Sequence, residues 1–80
     1  MKVQILGTGC AKCSKLYDNA CKAVEQVGSD AEVVKISEVA EIASFGVMLT
    51  PALAIDGQVK AAGRVSSPVQ IAKWMQEAGG

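Results

Sequence analysis

The stretch G-T-G-C-A-K-C, from Gly7 to Cys13, decides the predicted fold because two different periodicities meet in it. Before it, residues 2–6 alternate between polar and apolar, as residues of a half-buried strand do. After it, apolar residues recur every three or four positions from Ala11 to about Val27, which predicts a helix that Gly28 caps. The stripe consists of Cys13, Leu16, Tyr17, Ala20, Val24 and Val27.

The middle of the chain predicts a second strand and a short helix. Residues 31–36 contain a β-branched run typical of a strand. Ser37 is expected to cap the helix that follows, and Gly46 is expected to stop it. The residues expected on its buried face are Val39, Ile42, Ala43 and Phe45.

The last third of the chain predicts a hairpin and a final helix. Asp56-Gly57 separates two apolar runs, and this pair tolerates the positive φ that a tight hairpin turn requires. Ser67 precedes Pro68 at the first helical position, and Gln70 completes the pattern of a capping box. The expected buried face is Ile71, Trp74, Met75 and Ala78, and Gly79-Gly80 ends the helix.

These elements predict an α/β fold in the order βαβαββα, with a four-stranded mixed sheet flanked by three helices. The first strand, first helix and second strand form a parallel crossover, which is expected to be right-handed. The hairpin adds antiparallel strands. Eighty residues without a repeat or linker predict one domain, residues 1–80.

Composition argues against several classes of function. Eight basic and eight acidic residues cancel, and only three residues are aromatic, so neither nucleic acid nor a membrane surface is an expected partner. No targeting segment and no apolar run of about 18 residues is visible, which predicts a cytoplasmic protein. Structural disulfides are rare there, and three cysteines do not pair fully. Cysteine in this chain is therefore expected to serve chemistry or packing.

The spacing of Cys10 and Cys13 indicates a redox pair. Cys10 falls where the helix begins and Cys13 lies one turn inside it, close enough for a disulfide. The unpaired N–H groups and the dipole of the first turn favour a thiolate, and Lys12 adds positive charge. Cys10, nearer to solvent, is expected to attack a substrate disulfide. Cys13, on the apolar stripe, is expected to resolve the mixed disulfide.

A soft-metal carrier and simple packing are the alternatives. Two thiolates on such a loop also hold Cu(I) or an arsenite-like metalloid, but they do not complete a zinc site in a chain without histidine. Cys21 lies about 12 Å along the helix from Cys13, at about 1.5 Å per residue, so it is expected to be a packed small residue rather than a third ligand. Packing alone would not require a glycine loop at a helix start.

Four segments together resemble the thioredoxin fold: Gly7–Cys13, Thr50–Leu53, Asp56-Gly57 and Gly63-Arg64. Across essentially the whole chain they look like the small thioredoxin-like or glutaredoxin-like redox-active disulfide proteins of bacteria and archaea. The resemblance implies the minimal thioredoxin fold and a thiol–disulfide oxidoreductase that needs no cofactor and no metal.

The resemblance also implies roles for the residues opposite the cysteine pair. Pro51 is expected to be cis and to face the pair, and the backbone of Thr50 is expected to pair with a bound substrate strand. Gly9, Lys12 and Gly63 are implied as supporting residues, Gly63 by letting the last helix approach the site.

Three positions depart from thioredoxins proper, which carry a tryptophan before the first cysteine, Gly-Pro between the cysteines and a buried acid on the first strand. Here those positions are Gly9, Ala11-Lys12 and Gln4. Without the acid, no internal base for Cys13 is evident from the sequence. The departures therefore point to a specialised partner or a glutathione-independent electron donor as readily as to broad reductase activity.

The resulting hypothesis is a monomeric cytoplasmic oxidoreductase that acts through Cys10 and Cys13. Its expected partners are a protein or small-molecule disulfide substrate and an upstream reductase. The soft-metal carrier remains the alternative, although ferredoxin-like carriers end in a strand and this chain is expected to end in a helix.

Overall fold

The predicted order of strands and helices is observed in the computed structural model, which describes residues 1–8, 11–28 and 30–79. The elements are β1 (Lys2–Leu6), α1 (Ala11–Val27), β2 (Glu32–Ile36), α2 (Val39–Ser44), β3 (Ala52–Ile55), β4 (Gln58–Ala62) and α3 (Pro68–Gly79). Within those described ranges, no helix has the length and apolar character that crossing a bilayer requires.

The four strands form one mixed sheet in the order β2-β1-β3-β4. β1 pairs in parallel with β2, so that Ile5 lies opposite Lys35. β1 is antiparallel to β3, and β3 is antiparallel to β4 with an irregularity between Leu53 and Ala54. The predicted α/β fold with a four-stranded mixed sheet and three helices is confirmed.

The turn between β3 and β4 is built from Asp56 and Gly57, which have φ values of 49° and 86°. β1 holds this turn in place. The Gly57 N–H donates to Gln4 Oε1 at 2.8 Å, and the Lys2 N–H donates to Asp56 Oδ1 at 2.8 Å. The hairpin predicted from Asp-Gly is confirmed, and Gln4 has a structural partner in it.

Each face of the sheet carries its own apolar core. Alternation along β1 sends Val3 and Ile5 to the face covered by α1 and α3, and sends Leu6 to the opposite face, where α2 packs. The larger core consists of Val3, Ile5, Leu16, Ala20, Ala23, Leu53, Ile55, Ile71, Ala72 and Met75. The smaller one consists of Leu6, Ile42 and Ala52, with Ile36, Phe45 and Val47 at its margin.

Local signals fixed three helix ends. The Gly28 N–H donates to the Val24 carbonyl at 3.0 Å, and Gly28 has a φ of 68°. Gly46, with a φ of 79°, follows the end of α2. Ser67 Oγ accepts a hydrogen bond from the Gln70 N–H at 3.2 Å, and Pro68 is the first residue of α3. All three predicted caps are confirmed.

Two other expectations for α2 are wrong. The helix begins at Val39, so Glu38 rather than Ser37 holds the cap position, and no side-chain capping bond to it is found in the described part of the chain. The Glu38 carbonyl accepts the Ile42 N–H at 2.9 Å instead. Val39 is 70% exposed, and Ala43, which was also expected on the buried face, is exposed too, because the six-residue helix buries little besides Ile42.

The buried faces of the longer helices also differ at single positions from those predicted. In α3, Ala78 is exposed and Ala72 is buried instead. In α1, the predicted stripe is buried or half-buried, and Ala23 is buried beside it.

Candidate functional site

The end of β1 brings Gly7 against Cys13. The Gly7 N–H donates to the Ile36 carbonyl at 3.0 Å, which continues the pairing of β1 with β2. A Cβ atom at Gly7 would collide with Cys13 Sγ and would lie 3.3 Å from Cys13 Cβ. Cys13 itself is only 7% exposed. Position 7 must therefore be glycine if the helix is to place the Cys13 sulfur against the strand.

Pro51 borders the same point from the opposite direction. The Cβ position of Gly7 lies 3.9 Å from Pro51 Cα. The Thr50–Pro51 peptide bond is cis, and Pro51 is fully buried. Its carbonyl accepts the Gly63 N–H at 2.9 Å, which ties it to the end of β4. Cys13 and Pro51, which are distant in sequence, thus both pack on Gly7.

Gly63 has a different neighbour from the one expected. Its φ is 76°, and a Cβ atom there would lie 3.1 Å from both Cβ and Cδ1 of Leu49. The close approach is therefore made by Leu49, in the segment before Pro51, and not by α3. Gly63 acts on the site by supporting the Pro51 segment.

A cleft of about 90 Å³ opens beside Cys13 on the α1 face of the sheet. It is lined by Ile5, Gly7, Cys13, Ser14, Lys35 and Ser37. Lys35 Nζ lies 4.6 Å from the centroid of the Tyr17 ring, one helical turn beyond Cys13. Polar side chains therefore border the cleft beside Cys13.

A second and larger depression, of about 260 Å³, lies on the α2 side. We call it the α2 groove. It is lined by Thr8, Val39, Ile42, Ala43, Val47, Met48 and Thr50. Met48 is 96% exposed, and the neighbouring Leu49 is also exposed. The groove begins at Thr8, two residues before Cys10, and reaches Thr50 beside Pro51, so it adjoins the candidate site.

The structure brings some of the predicted site residues together. Cys13, Thr50 and Pro51 lie around the end of β1, whereas Gly9 and Cys10 lie outside the described residues. Lys12 is exposed on the first turn of α1. Cys21 is half-buried further along α1, away from this cluster. Among the residues that the structure describes, no group of three or more potential metal ligands occurs.

Three features of the site were not predicted. In the sequence, Gly7 is only part of the glycine loop before the helix, and no local signal indicates its contact with Cys13. Lys35 lies in β2, where both faces of the strand carry a charged and an apolar residue, so the sequence does not show which face is towards α1. Met48 and Leu49 carry no local signal for exposure, because apolar residues before a strand are usually buried.

The chain is similar to known proteins of one family. The model of the thioredoxin domain family matches residues 1–76. A thioredoxin from Methanothermobacter thermautotrophicus is 49% identical over 73 residues, which are 91% of this chain and 95% of that protein. A thioredoxin from Methanocaldococcus jannaschii is 45% identical over 69 residues, which are 86% of this chain and 79% of that protein. The resemblance noted in the sequence is confirmed. Because the family model spans nearly the whole chain, this small protein belongs to the thioredoxin family and is a thiol–disulfide oxidoreductase.

Proposed function

We propose that Cys10 and Cys13 are the dithiol through which this protein reduces disulfides. The Cys10 thiolate attacks one sulfur of the substrate disulfide, and the other substrate sulfur leaves as a thiolate. The Cys13 thiolate then attacks Cys10 Sγ, forms the Cys10–Cys13 disulfide and expels the second substrate thiolate. Two electrons pass from the dithiol to the substrate, and solvent supplies two protons to its thiolates.

The contact of Cys13 and Pro51 with Gly7 is the observation that carries this proposal. It supports the division of roles because Cys13, which is only 7% exposed, is shielded from a bulky substrate and follows Cys10 by three positions in the sequence. Lys12 is exposed on the same turn, which suits a charge that favours the Cys10 thiolate.

The α2 groove is the proposed seat of a specialised protein partner. Thr50 lines it, so a substrate strand that paired with the Thr50 backbone would place its neighbouring side chains over Val39 and Met48. Exposed apolar side chains gain most by covering apolar surface. The preferred substrate is therefore a protein disulfide flanked by apolar residues.

The electron donor follows from the family. Thioredoxins act on protein disulfides and are reduced again by a reductase. We infer a dedicated upstream reductase for this chain, since Gly9, Ala11 and Lys12 differ from the residues that general thioredoxins carry beside and between the two cysteines in the sequence. Its monomeric state and cytoplasmic location stay predictions.

A trapping experiment tests the roles of the cysteines. In a Cys13→Ser variant, the mixed disulfide cannot be resolved, so the substrate should remain attached through Cys10. Cys21→Ser is the matched control and should trap nothing. Capture through Cys21 in the Cys13→Ser protein would contradict the assignment. In the unmodified protein, Cys10 and Cys13 should interconvert between dithiol and disulfide at a potential between about −150 and −320 mV.

The soft-metal alternative predicts a different result. Under it, the reduced protein would retain Cu(I) or arsenite against a competing chelator and would lose it on Cys10→Ser. Retention that depends on Cys10, together with no reversible Cys10–Cys13 disulfide, would replace the oxidoreductase mechanism at this pair. Rapid loss of Cu(I) or arsenite to the chelator, together with a reversible Cys10–Cys13 disulfide, would support the oxidoreductase mechanism.

A further inference from the structure

The α2 groove carries a side chain that can be modified chemically after the protein has folded. Met48 lies between α2 and β3 and is 96% exposed, so nearly the whole side chain, including its thioether, is in contact with solvent. The other described residues of the groove lining are aliphatic residues and two threonines. Among these described residues, Met48 has the sulfur atom, which peroxides oxidise readily.

The three methionines of the chain differ widely in exposure. Met75 is 1% exposed and belongs to the larger core. Met1 is 40% exposed, and its carbonyl accepts the Glu32 N–H at 3.0 Å, which extends the pairing of β1 with β2. A reagent dissolved in water reaches a buried sulfur only when the structure opens locally. Met48 is therefore the methionine that a dissolved oxidant reaches most readily.

The segment that carries Met48 is held by its other residues. Leu49 lies 3.1 Å from the Cβ position of Gly63, and the Pro51 carbonyl accepts the Gly63 N–H at 2.9 Å. Pro51 also packs at Gly7, next to Cys13. A change confined to the Met48 side chain therefore alters the surface of the α2 groove and leaves these contacts in place.

We infer that Met48 is an oxidation site, and that its sulfoxide weakens the binding of protein disulfides with apolar flanks to the α2 groove. The inference rests on the proposed function of that groove. The oxidant is a peroxide such as hydrogen peroxide. A lone pair on the Met48 sulfur attacks one peroxide oxygen, the O–O bond breaks, and the departing hydroxide takes the proton of the transferred oxygen and leaves as water. The sulfur loses two electrons and the peroxide gains them.

The sulfoxide changes what the groove presents to a partner. Its oxygen is a polar hydrogen-bond acceptor at a position where the unmodified thioether is apolar. Apolar side chains that cover the groove would remove this oxygen from water without supplying a donor, which opposes binding. For such substrates, kcat/KM should fall by about tenfold, the effect of one unmade hydrogen bond. A small disulfide that does not cover the groove should react as before.

The first experiment maps the modification. A Cys21→Ser protein is oxidised beforehand so that its other two cysteines are protected as a disulfide, and it is then treated with dilute hydrogen peroxide. Mass spectrometry of its peptides follows the gain of one oxygen atom at each methionine. Met48 should react at least about tenfold faster than Met75, whose sulfur becomes accessible only through local opening. In denaturant the rates should converge. A Met48 that reacts no faster than Met75 or Met1 in the folded protein would overturn the inference.

The second experiment measures what the oxidation does. The treated protein is reduced with dithiothreitol, which returns the cysteines to thiols, while the sulfoxide needs an enzyme for its reduction. The substrates are a synthetic peptide disulfide with leucines on both sides of each cysteine and the same peptide with serines in their place. Oxidation should lower kcat/KM for the leucine peptide by about tenfold and leave the serine peptide unaffected. Methionine sulfoxide reductase should restore the reaction with the leucine peptide.

Two variants assign the effect to Met48, each made in the Cys21→Ser protein. Met48→Leu keeps an apolar side chain but has no sulfur to oxidise, so peroxide should not change its activity from that of its own untreated form. Met48→Gln, whose amide oxygen imitates the sulfoxide, should reduce the leucine peptide less well than Met48→Leu without any peroxide. If peroxide lowers the activity of the Met48→Leu protein as much as that of the protein with Met48, the inference is wrong.

The outcomes also separate this inference from the proposed function. If the untreated protein reduces the leucine and serine peptides equally well, the groove does not select apolar flanks and the inference fails, while the dithiol mechanism stands. If the untreated protein reduces no disulfide, the dithiol mechanism fails. Calorimetry with a leucine peptide whose cysteines are methylated then decides the role of Met48. Weaker binding after peroxide treatment supports the inference, and unchanged binding overturns it.

Discussion

The two sides of the Cys13–Gly7–Pro51 contact are built in opposite ways. On the α1 side, Cys13 is buried, and its sulfur fits only because position 7 has no side chain. On the α2 side, Met48 and Val39 remain 96% and 70% exposed around a groove of about 260 Å³. The α1 side is packed to contact distance at Gly7 and leaves only a small cleft, whereas the α2 side has a wide apolar groove.

This difference separates chemistry from recognition. Reacting atoms must be held within fractions of an ångström, which close packing against a strand achieves. A surface that binds a partner must instead keep apolar area uncovered until the partner arrives. Substitutions on the α1 side should therefore affect reaction with every disulfide, and those on the α2 side should affect only protein substrates.

The largest effect is expected from Gly7→Ala. The added Cβ would collide with Cys13 Sγ, so either α1 or β1 must shift. We expect the free energy of unfolding to fall by about 1–3 kcal/mol, as in other overpacked cores. Reduction of both small and protein disulfides should fall by about tenfold or more, because misplacement of a reacting sulfur is costly. Chemical denaturation and turnover assays measure the two effects.

Gly28→Ala is the control for that substitution. Gly28 has a φ of 68°, and nothing lies within 4 Å of its Cβ position. It should lose about 1–2 kcal/mol through backbone strain alone and keep its redox activity. Equal activity in the Gly7→Ala and Gly28→Ala proteins would show that the Gly7 contact does not position Cys13.

Gly63→Ala should give the next largest effect. Its φ of 76° and the approach of Leu49 to 3.1 Å combine strain with crowding. We expect a loss of about 1–2 kcal/mol from the left-handed backbone alone, and a further loss from displaced Leu49. Gly57→Ala, at a φ of 86° with nothing within 4 Å, isolates the strain. If thermal unfolding shows equal losses for the two variants, the Leu49 contact contributes nothing.

The sequence predicted what local chemistry determines. A stripe of apolar residues specified α1, Asp56-Gly57 specified the hairpin, and Ser67-Pro68 specified the start of α3. Each of these signals acts over a few residues and needs no knowledge of distant contacts. They were sufficient for the element order and the mixed sheet.

The site was less predictable because its contacts cross the sheet. The contact of Gly7 with Cys13 exists only because α1 packs against β1, and Lys35 lines the cleft only because its register places it opposite Ile5. The error at Ser37 has a similar cause. Both Ser37 and Glu38 could precede the helix, and packing of Ile42 on Leu6 selects the later start.

Recognition by the α2 groove is tested by Val39→Ser combined with Met48→Ser. Both side chains are exposed and line the groove, so stability should change by less than about 0.5 kcal/mol. For a protein substrate that the trapping experiment has identified, kcat/KM should fall by about tenfold, roughly 1.4 kcal/mol. The rate of reduction of a small aromatic disulfide should stay unchanged. Val69→Ser on α3 is the control because Val69 is also 70% exposed. An equal loss with both disulfides would place these residues in the chemical step instead.

The smallest effect is expected from Gln4→Met, which asks whether the position of the absent acid takes part in the reaction. The substitution removes the acceptor of the Gly57 N–H, an exposed hydrogen bond. Water can replace that acceptor, so the free energy of unfolding should fall by only about 0.5–1 kcal/mol. Because Gln4 faces away from the Cys13 cleft, the rate and pH dependence of mixed-disulfide resolution should match those of the unmodified protein. A changed pH profile would mean that Gln4 acts on the buried sulfur.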